Sequence, residues 1–260
     1  MGGAKRRKLK VTVIIIEIVC LFVLAICAVV VAGTVVKRHN QEEAEKAAEL
    51  TAEEEARQAE LEKMKQQKEL KKWNLLLVNP WKAMPDDFTV KTAEVENGYE
   101  MDERVVDAMK EMLADCREAG YSPQIISSFR SRETQQYLYD HTANKDDTAI
   151  PGHSEHECGL AADVIDSSSA GWSDPLIDKQ ETLPAQKWLM EHCQDYGFIL
   201  RYPKDKEDVT GIIYEPWHYR YVGKEHAAKI MSEGLCLEEY IEQLGGEIKD
   251  PEETKDAEAQ

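Results

Sequence analysis

The sequence predicts an α+β domain with a small, largely antiparallel sheet and flanking helices, preceded by one transmembrane helix and a helical stalk. Three observations favour this architecture. A long apolar run near the N-terminus precedes a stretch made almost entirely of Glu, Lys, Ala and Gln, and nearly all the aromatic residues follow in a region about one domain long. Helix and strand patterns in that region lack the strict βαβ alternation of a parallel sheet.

The apolar run from Val11 to Val36 contains one charged residue, Glu17, and exceeds the roughly 20 residues needed to cross a bilayer. Five basic residues within segment 1–10 precede the run and two follow it, so the positive-inside rule places the N-terminus in the cytoplasm. A cleaved signal peptide is the alternative, although its apolar region usually spans about 7 to 15 residues. We therefore predict a single-pass anchor over residues 11–36, with the rest of the chain outside.

The net charge of −18 argues against nucleic acid as a partner, because a polyanion would be repelled. Much of this charge lies in two segments outside the predicted domain. Residues 37–72 carry opposite charges at helical spacing, such as Glu42 and Lys46, and predict a solvated helical stalk. Residues 247–260 are acidic, lack aromatic residues and predict a disordered tail.

Residues 73–246 have the composition of a folded domain, with aromatic residues and regular turn signals. Asp102 is a candidate cap for the first helix of this domain, and Gly120 would end that helix. Glu215-Pro216-Trp217 reads as a turn between two strand segments. The predicted helices cover residues 105–116, 133–140, 184–196 and 224–232, and the predicted strands cover 124–129, 160–165, 198–202, 212–214 and 218–222.

Four of the six cysteines fall in this domain, at positions 116, 158, 193 and 236. Four cysteines in an oxidising compartment permit three pairings. Their spacing does not form the paired CxxC pattern of a zinc cluster. The sequence leaves free thiols and one or two disulfides as open alternatives.

Two separate polar stretches supply candidate metal ligands. His156 and Asp163 lie seven residues apart across a glycine turn, and His218 follows Glu215 by three residues. Two histidines and one carboxylate leave a fourth zinc position open, which is the arrangement of a catalytic site. Glu215 is then the candidate general base, and Arg130 at the end of a predicted strand is the candidate for stabilising an oxyanion.

Three blocks carry a resemblance to a known family: Ser127–Ser131, Ser154–Asp163 and Glu215–Gly223. In order and spacing they resemble the signature blocks of the VanY-like zinc D-alanyl-D-alanine carboxypeptidases, which are LAS-type metallopeptidases with a fold related to the hedgehog signalling domain. The similarity runs over residues 79–244. Phe129, where relatives often have tyrosine, and Cys158, where a polar residue is common, are small departures.

The resemblance implies a hedgehog-like fold with Zn²⁺ on His156, Asp163 and His218, Glu215 as the base, and Arg130 on the substrate carbonyl and its oxyanion. It also implies that the chain binds substrate through two further residues. These are Ser154, at the substrate's terminal carboxylate, and Gln135, in the cleft.

The activity implied is removal of the C-terminal D-alanine from peptidoglycan stem peptides by an enzyme anchored in a bacterial cell membrane. An L,D-carboxypeptidase acting on tetrapeptide stems is an alternative, and an endopeptidase cutting cross-links is a further variant. A non-catalytic, zinc-stabilised module that binds cell-wall peptides is the alternative from another class. The blocks do not separate these activities, and the sequence is silent on oligomeric state.

Four neighbouring polar residues receive simpler interpretations. His153 is expected to face solvent in its loop, and Glu155 and Glu157 are expected to be surface groups. Asp166 is not expected to replace Asp163 as a ligand, because odd and even residues of a strand face opposite sides.

Overall fold

The computed structural model describes residues 3–143, 145 and 148–249. The predicted acidic tail, residues 247–260, lies outside the described residues from position 250 onward, and its disorder stays a prediction. The first two residues of the predicted cytoplasmic segment 1–10 also lie outside them. Contacts divide the chain into two units between Glu62 and Lys63.

Helix α1, Gly3–Leu70, continues without a break from the predicted membrane span into the predicted stalk. Among the described residues it is the one helix long and apolar enough to cross a membrane, with a mean hydropathy of 3.0 over 18 residues. Exposed ion pairs such as Arg38 with Glu42 line its polar part, where each adds at most about 1 kcal/mol. The predicted long N-terminal helix is confirmed.

The second unit is the α+β domain that the sequence predicts. Its main sheet has four strands in the order β3-β4-β6-β5, and each neighbouring pair is antiparallel. A separate hairpin pairs β1 with β2. The small antiparallel sheet with flanking helices is confirmed. The strands are β1 (Thr92–Glu96), β2 (Tyr99–Asp102), β3 (Pro123–Ser127), β4 (Ala161–Asp166), β5 (Phe198–Tyr202) and β6 (Glu215–Tyr221).

Helices cover the sheet, and their apolar residues recur at helical spacing. In α2 the buried residues include Met109, Met112, Leu113 and Cys116, which form one face of the helix. The helix α4 begins with Pro184, whose missing N–H is not needed in the first turn. The helices are α2 (Val106–Glu118), α3 (Arg132–His141), α4 (Pro184–His192), the one-turn α5 (Glu207–Thr210), α6 (Lys224–Glu233) and α7 (Leu237–Gln243).

The two faces of the sheet have different surroundings. Val164 and Tyr219 point into the larger hydrophobic core, which α2 and α4 close. Alternation along the strands turns Asp163 and His218 to the opposite face. On that face Ile199 belongs to a second core with α6 and α7. Asp163 of β4 and His218 of β6 therefore lie on the same face of the sheet, the one that also contributes to the second core.

Three predictions about local structure are wrong. Asp102 does not cap α2, because it ends β2 and its carboxylate accepts hydrogen bonds from the backbone and guanidinium of Arg104. Glu215-Pro216-Trp217 is not a turn but the first part of β6, where a proline is tolerated near the strand start. Segment 212–214 is not a strand, because the Tyr214 N–H bonds to the Glu207 side chain instead of a neighbouring strand.

We predict that Gly197→Ala destabilises the domain more than Gly234→Ala. Both glycines end helical segments with positive φ, +87° and +65°. A Cβ at Gly197 would lie 2.9 Å from Tyr221 Cε2 and 3.0 Å from the Lys224 nitrogen, whereas a Cβ at Gly234 meets nothing within 4 Å. Left-handed backbone costs about 1–2 kcal/mol, and crowding at Gly197 adds about 1–3 kcal/mol.

Urea unfolding of the full chain in detergent measures both free energies of unfolding. Equal losses in the two variants would contradict the close packing described for Gly197.

Candidate active site

Three side chains on the polar face of the sheet converge on one point. Asp163 in β4 lies directly opposite His218 in β6. His156 comes from the loop before β4, which turns back through Gly159 at a φ of +68°. One ligand atom from each of the three lies within 4.8 Å of the others, and all three residues are buried. Within the described residues, this is the group of His, Cys, Asp and Glu that could hold a metal ion.

The atoms that face one another are the two imidazole nitrogens and both carboxylate oxygens. His156 Nε2 lies 3.4 Å from Asp163 Oδ2, and His218 Nδ1 lies 3.1 Å from Asp163 Oδ1. Despite this proximity, Asp163 Oδ1 is buried without a hydrogen bond of good geometry. A buried carboxylate oxygen left without a donor fits a cation, and two imidazoles with one carboxylate are a donor set that suits Zn²⁺.

The other nitrogen of each ring is held by an acceptor behind it. His156 Nδ1 lies 2.9 Å from the carbonyl oxygen of Ser128, and His218 Nε2 lies 3.3 Å from Glu155 Oε2. A carbonyl and a carboxylate can only accept hydrogen bonds, so these nitrogens carry the protons. His156 Nε2 and His218 Nδ1 are the nitrogens left facing Asp163, and they are therefore the ones that would bind a metal ion.

Glu215 stands beside the trio at the first position of β6. Its Oε2 lies 3.5 Å from His218 Nδ1, and its side chain is 22% exposed. Burial raises the pKa of Glu215 to about 7; His218 and Arg130 oppose this change, and the charges of Asp163 and Glu155 add to it. A carboxylate with a pKa near neutrality can both accept and return a proton at physiological pH.

Arg130 follows β3 and its backbone N–H donates to the carbonyl of His156, which ties the arginine to the loop of the first candidate ligand. Its Nη2 lies 3.4 Å from Ser154 Oγ, and its buried Nε has no hydrogen-bond partner. Burial lowers the pKa of Arg130, whereas the nearby carboxylates, Asp163 first, raise it. The guanidinium thus keeps donors available for a bound molecule.

The structure places Ser154 beside Arg130 in this site, and it buries Gln135 in α3. Ser154 is buried two residues before His156 and contacts Arg130. Gln135 in α3 is fully buried, and its amide donates to the carbonyl of Ala149 at 2.7 Å. No contact described joins Gln135 to the three candidate ligands, but its Oε1 is buried without a partner.

The prediction that Glu155 and Glu157 are surface groups is wrong. Glu157 is buried, with its Oε2 2.7 Å from Arg132. Glu155 is buried between Arg201 and Arg220 and reaches His218. The sequence did contain a signal for this, because arginines within core strands require buried acidic partners. Because Glu155 and Glu157 lie in a polar loop, the local sequence alone predicts that they are exposed.

Other groups around the trio have structural roles. His153 is half-buried, with its Nδ1 2.9 Å from the carbonyl of Asn79. Asp166 accepts hydrogen bonds from the backbone N–H groups of Ser168 and Ala185, away from the candidate ligands. Tyr202 packs over His218 with ring centroids 4.9 Å apart. All four domain cysteines are buried free thiols, at positions 116, 158, 193 and 236.

The chain is similar to proteins of known family. A family model described as D-alanyl-D-alanine carboxypeptidase, VanY, matches residues 98–224, which include every candidate site residue. A D-alanyl-D-alanine carboxypeptidase of Enterococcus faecalis is 34% identical over 193 residues, which are 68% of this chain and 69% of that protein.

Two solved structures resemble about two thirds of this chain. A vancomycin-resistance D,D-pentapeptidase VanY variant in complex with Zn(II) is 35% identical, with a TM-score of 0.57 over 65% of this chain and 99% of that one. The LD-carboxypeptidase LdcB, solved to explain peptidoglycan recognition, is 34% identical, with a TM-score of 0.57 over 65% of this chain and 86% of that one. The sequence match, the fold and the placement of the three blocks agree, and the chain belongs to the VanY family of D-alanyl-D-alanine carboxypeptidases.

Proposed function

We propose that this chain is a membrane-anchored zinc carboxypeptidase that removes the C-terminal D-alanine from peptidoglycan stem peptides. The observation that carries the proposal is the convergence of His156, Asp163 and His218 with Glu215 at their side. The family's activity and the Zn(II) in a similar VanY structure support the same conclusion. Helix α1 would anchor the enzyme, with the N-terminus in the cytoplasm and the catalytic domain outside the membrane.

His156 Nε2, Asp163 and His218 Nδ1 would hold the zinc ion, since these atoms face one another and the other nitrogen of each ring is occupied by an acceptor. When bound, Zn²⁺ supplies a Lewis acid that polarises the scissile carbonyl and lowers the pKa of a coordinated water toward about 7. Three protein ligands would leave the fourth coordination position of the ion open for water or substrate.

Glu215 would act first as the general base and then as the general acid. It accepts a proton from the attacking water as the new C–O bond forms at the amide carbon. It then delivers that proton to the leaving nitrogen as the C–N bond breaks. The products are free D-alanine and a peptide shorter by one residue, so atoms and charge balance. Burial raises the pKa of Glu215, which makes its carboxylate a stronger proton acceptor.

Arg130 and two polar residues would bind the substrate. The Arg130 guanidinium donates to the oxygen that becomes negative when the amide carbon turns tetrahedral, and this interaction is strong because the group is largely buried. Ser154, which contacts Arg130, would donate to the terminal carboxylate of the peptide. Gln135 Oε1, a buried acceptor without a partner, would take an N–H of the substrate backbone.

The L,D-carboxypeptidase activity is the second candidate, because the LD-carboxypeptidase LdcB resembles this chain as well as the D,D-pentapeptidase does. Both activities bind a terminal D-alanine carboxylate and hydrolyse the amide before it. A module that only binds wall peptides is disfavoured, since a binding site needs neither a proton acceptor at Glu215 nor an unpaired donor at Arg130.

We predict that Glu215→Gln lowers kcat by about 10²–10⁴-fold, because a glutamine side chain cannot accept the proton of the attacking water. The variant is expected to keep its zinc, because residue 215 is not one of the proposed zinc ligands. His218→Ala removes a ligand and is expected to lose both zinc and turnover. Zinc content by mass spectrometry and hydrolysis of a D-Ala-D-Ala peptide measure the two effects.

The control is Glu225→Gln, which changes an exposed glutamate in the first turn of α6. It is expected to keep wild-type zinc content and kcat. Wild-type turnover by the Glu215→Gln enzyme would refute the assignment of the base.

We predict that the zinc-loaded chain releases one D-alanine from a pentapeptide stem ending in D-Ala-D-Ala. A tetrapeptide stem ending in a single D-Ala is the comparison substrate, and mass spectrometry of the products measures both reactions. Trimming of the tetrapeptide alone would assign the L,D activity instead. Binding of both stems without cleavage of either would assign the binding module.

A further inference from the structure

A cluster of four charged side chains is buried beside the proposed zinc site. The side chains of Glu155, Arg201, Arg220 and Glu238 have no solvent exposure. The cluster joins four parts of the fold, because Glu155 precedes β4, Arg201 lies in β5, Arg220 lies in β6 and Glu238 lies in α7. It connects α7 to the loop that carries His156.

In this cluster both glutamates accept hydrogen bonds from arginine side chains. Glu155 Oε1 accepts from Arg201 Nε at 2.7 Å and from Arg220 Nη1 at 2.6 Å. Glu238 accepts from both terminal nitrogens of Arg201, at 2.8 and 2.6 Å. Two carboxylates face two guanidinium groups, so the buried charges balance.

Only one atom of Glu155 remains for another partner, and it meets His218. With Oε1 occupied by the two arginines, Oε2 lies 3.3 Å from His218 Nε2. An ionised carboxylate has no proton to donate, so His218 Nε2 must be the donor. The other ring nitrogen, Nδ1, points to the opposite side, where it lies 3.1 Å from Asp163 Oδ1.

We infer that Glu155 is a positioning residue for the metal site: it fixes the tautomer and ring orientation of His218 so that Nδ1 can bind the ion. The inference rests on the proposed function, since it concerns the same zinc site. His156 obtains the equivalent support from a backbone carbonyl, that of Ser128, which no side-chain substitution removes. His218 depends on a side chain, and so the metal affinity of the site depends on Glu155.

The substitution Glu155→Gln separates this role from simple packing. The side-chain oxygen of the glutamine would have to face the two arginines, which are donors only. Its NH₂ group would then face His218 Nε2 and would favour the tautomer with an unprotonated Nε2 and a proton on Nδ1. That proton occupies the atom that must bind the metal.

Glu155→Gln is therefore expected to lower the zinc affinity of the full chain by about 10–100-fold, measured by competition with a chromophoric chelator. The matched variant is Glu238→Gln, which removes a charge from the same cluster but contacts Arg201 and Asn79 and not the histidine. It is expected to keep zinc affinity within about threefold of wild type, because no ligand loses its outer partner.

Equal zinc affinity in the two variants, whether both are weakened or both unchanged, would overturn the inference. Urea unfolding of both variants without metal reports how much each weakens the fold. A wild-type chain that binds no zinc would instead refute the proposed function.

A second measurement needs no variant. Long-range ¹H–¹⁵N correlation spectra of the zinc-loaded, ¹⁵N-histidine-labelled chain are expected to show His218 protonated at Nε2 and bound to metal through Nδ1. Metal binding through Nε2 of His218 would overturn the inference even if the Glu155→Gln protein failed to fold.

Discussion

The pairing of β4 with β6 is the constraint on which the candidate site depends. Their antiparallel register places Asp163 directly opposite His218, on a face that alternation separates from the larger core. A slip of one residue would turn one of these side chains into that core. The strands are held in register by their central place in the sheet, between β3 and β5. Rigid strands thus supply two candidate ligands, and a glycine turn brings His156 to them.

Gathering so many polar groups on a buried face costs free energy, and the surrounding contacts offset that cost. Asp163, Arg130 and Gln135 each retain a buried polar atom without a partner, which is uncommon in folded proteins. The charges of Glu155, Glu238 and the two arginines are balanced, in contrast, and leave no such atom. Asp163 Oδ1 and Arg130 Nε are thus left for the ion and the peptide that would bind there, whereas the ion-pair cluster behind His218 is satisfied.

The site was more predictable from sequence than the structure that supports it. His156, Asp163, His218 and Glu215 were found because ligand chemistry restricts both residue type and spacing, and the structure gathers them. The role of Glu155 was not found, because its partners lie about 46 and 65 positions away along the chain and only the strand register reveals them.

Secondary structure that depends on the local sequence was also easier to predict than secondary structure that depends on a distant partner. Helix α6 and strand β5 were predicted well, since periodicity and the following glycine mark helix ends locally. The sequence pattern does not predict the hairpin of β1 and β2, and it offers Asp102 as a helix cap, because a polar residue before an apolar period suits either element. Only the strand partner decides between them.

The central claim is that His156, Asp163 and His218 together bind zinc. An anomalous difference map at the zinc absorption edge, from crystals of the zinc-loaded chain, tests it directly. We expect one strong peak within bonding distance of His156 Nε2, the Asp163 carboxylate and His218 Nδ1. A peak elsewhere, or one that excludes any of these three side chains, would contradict the account.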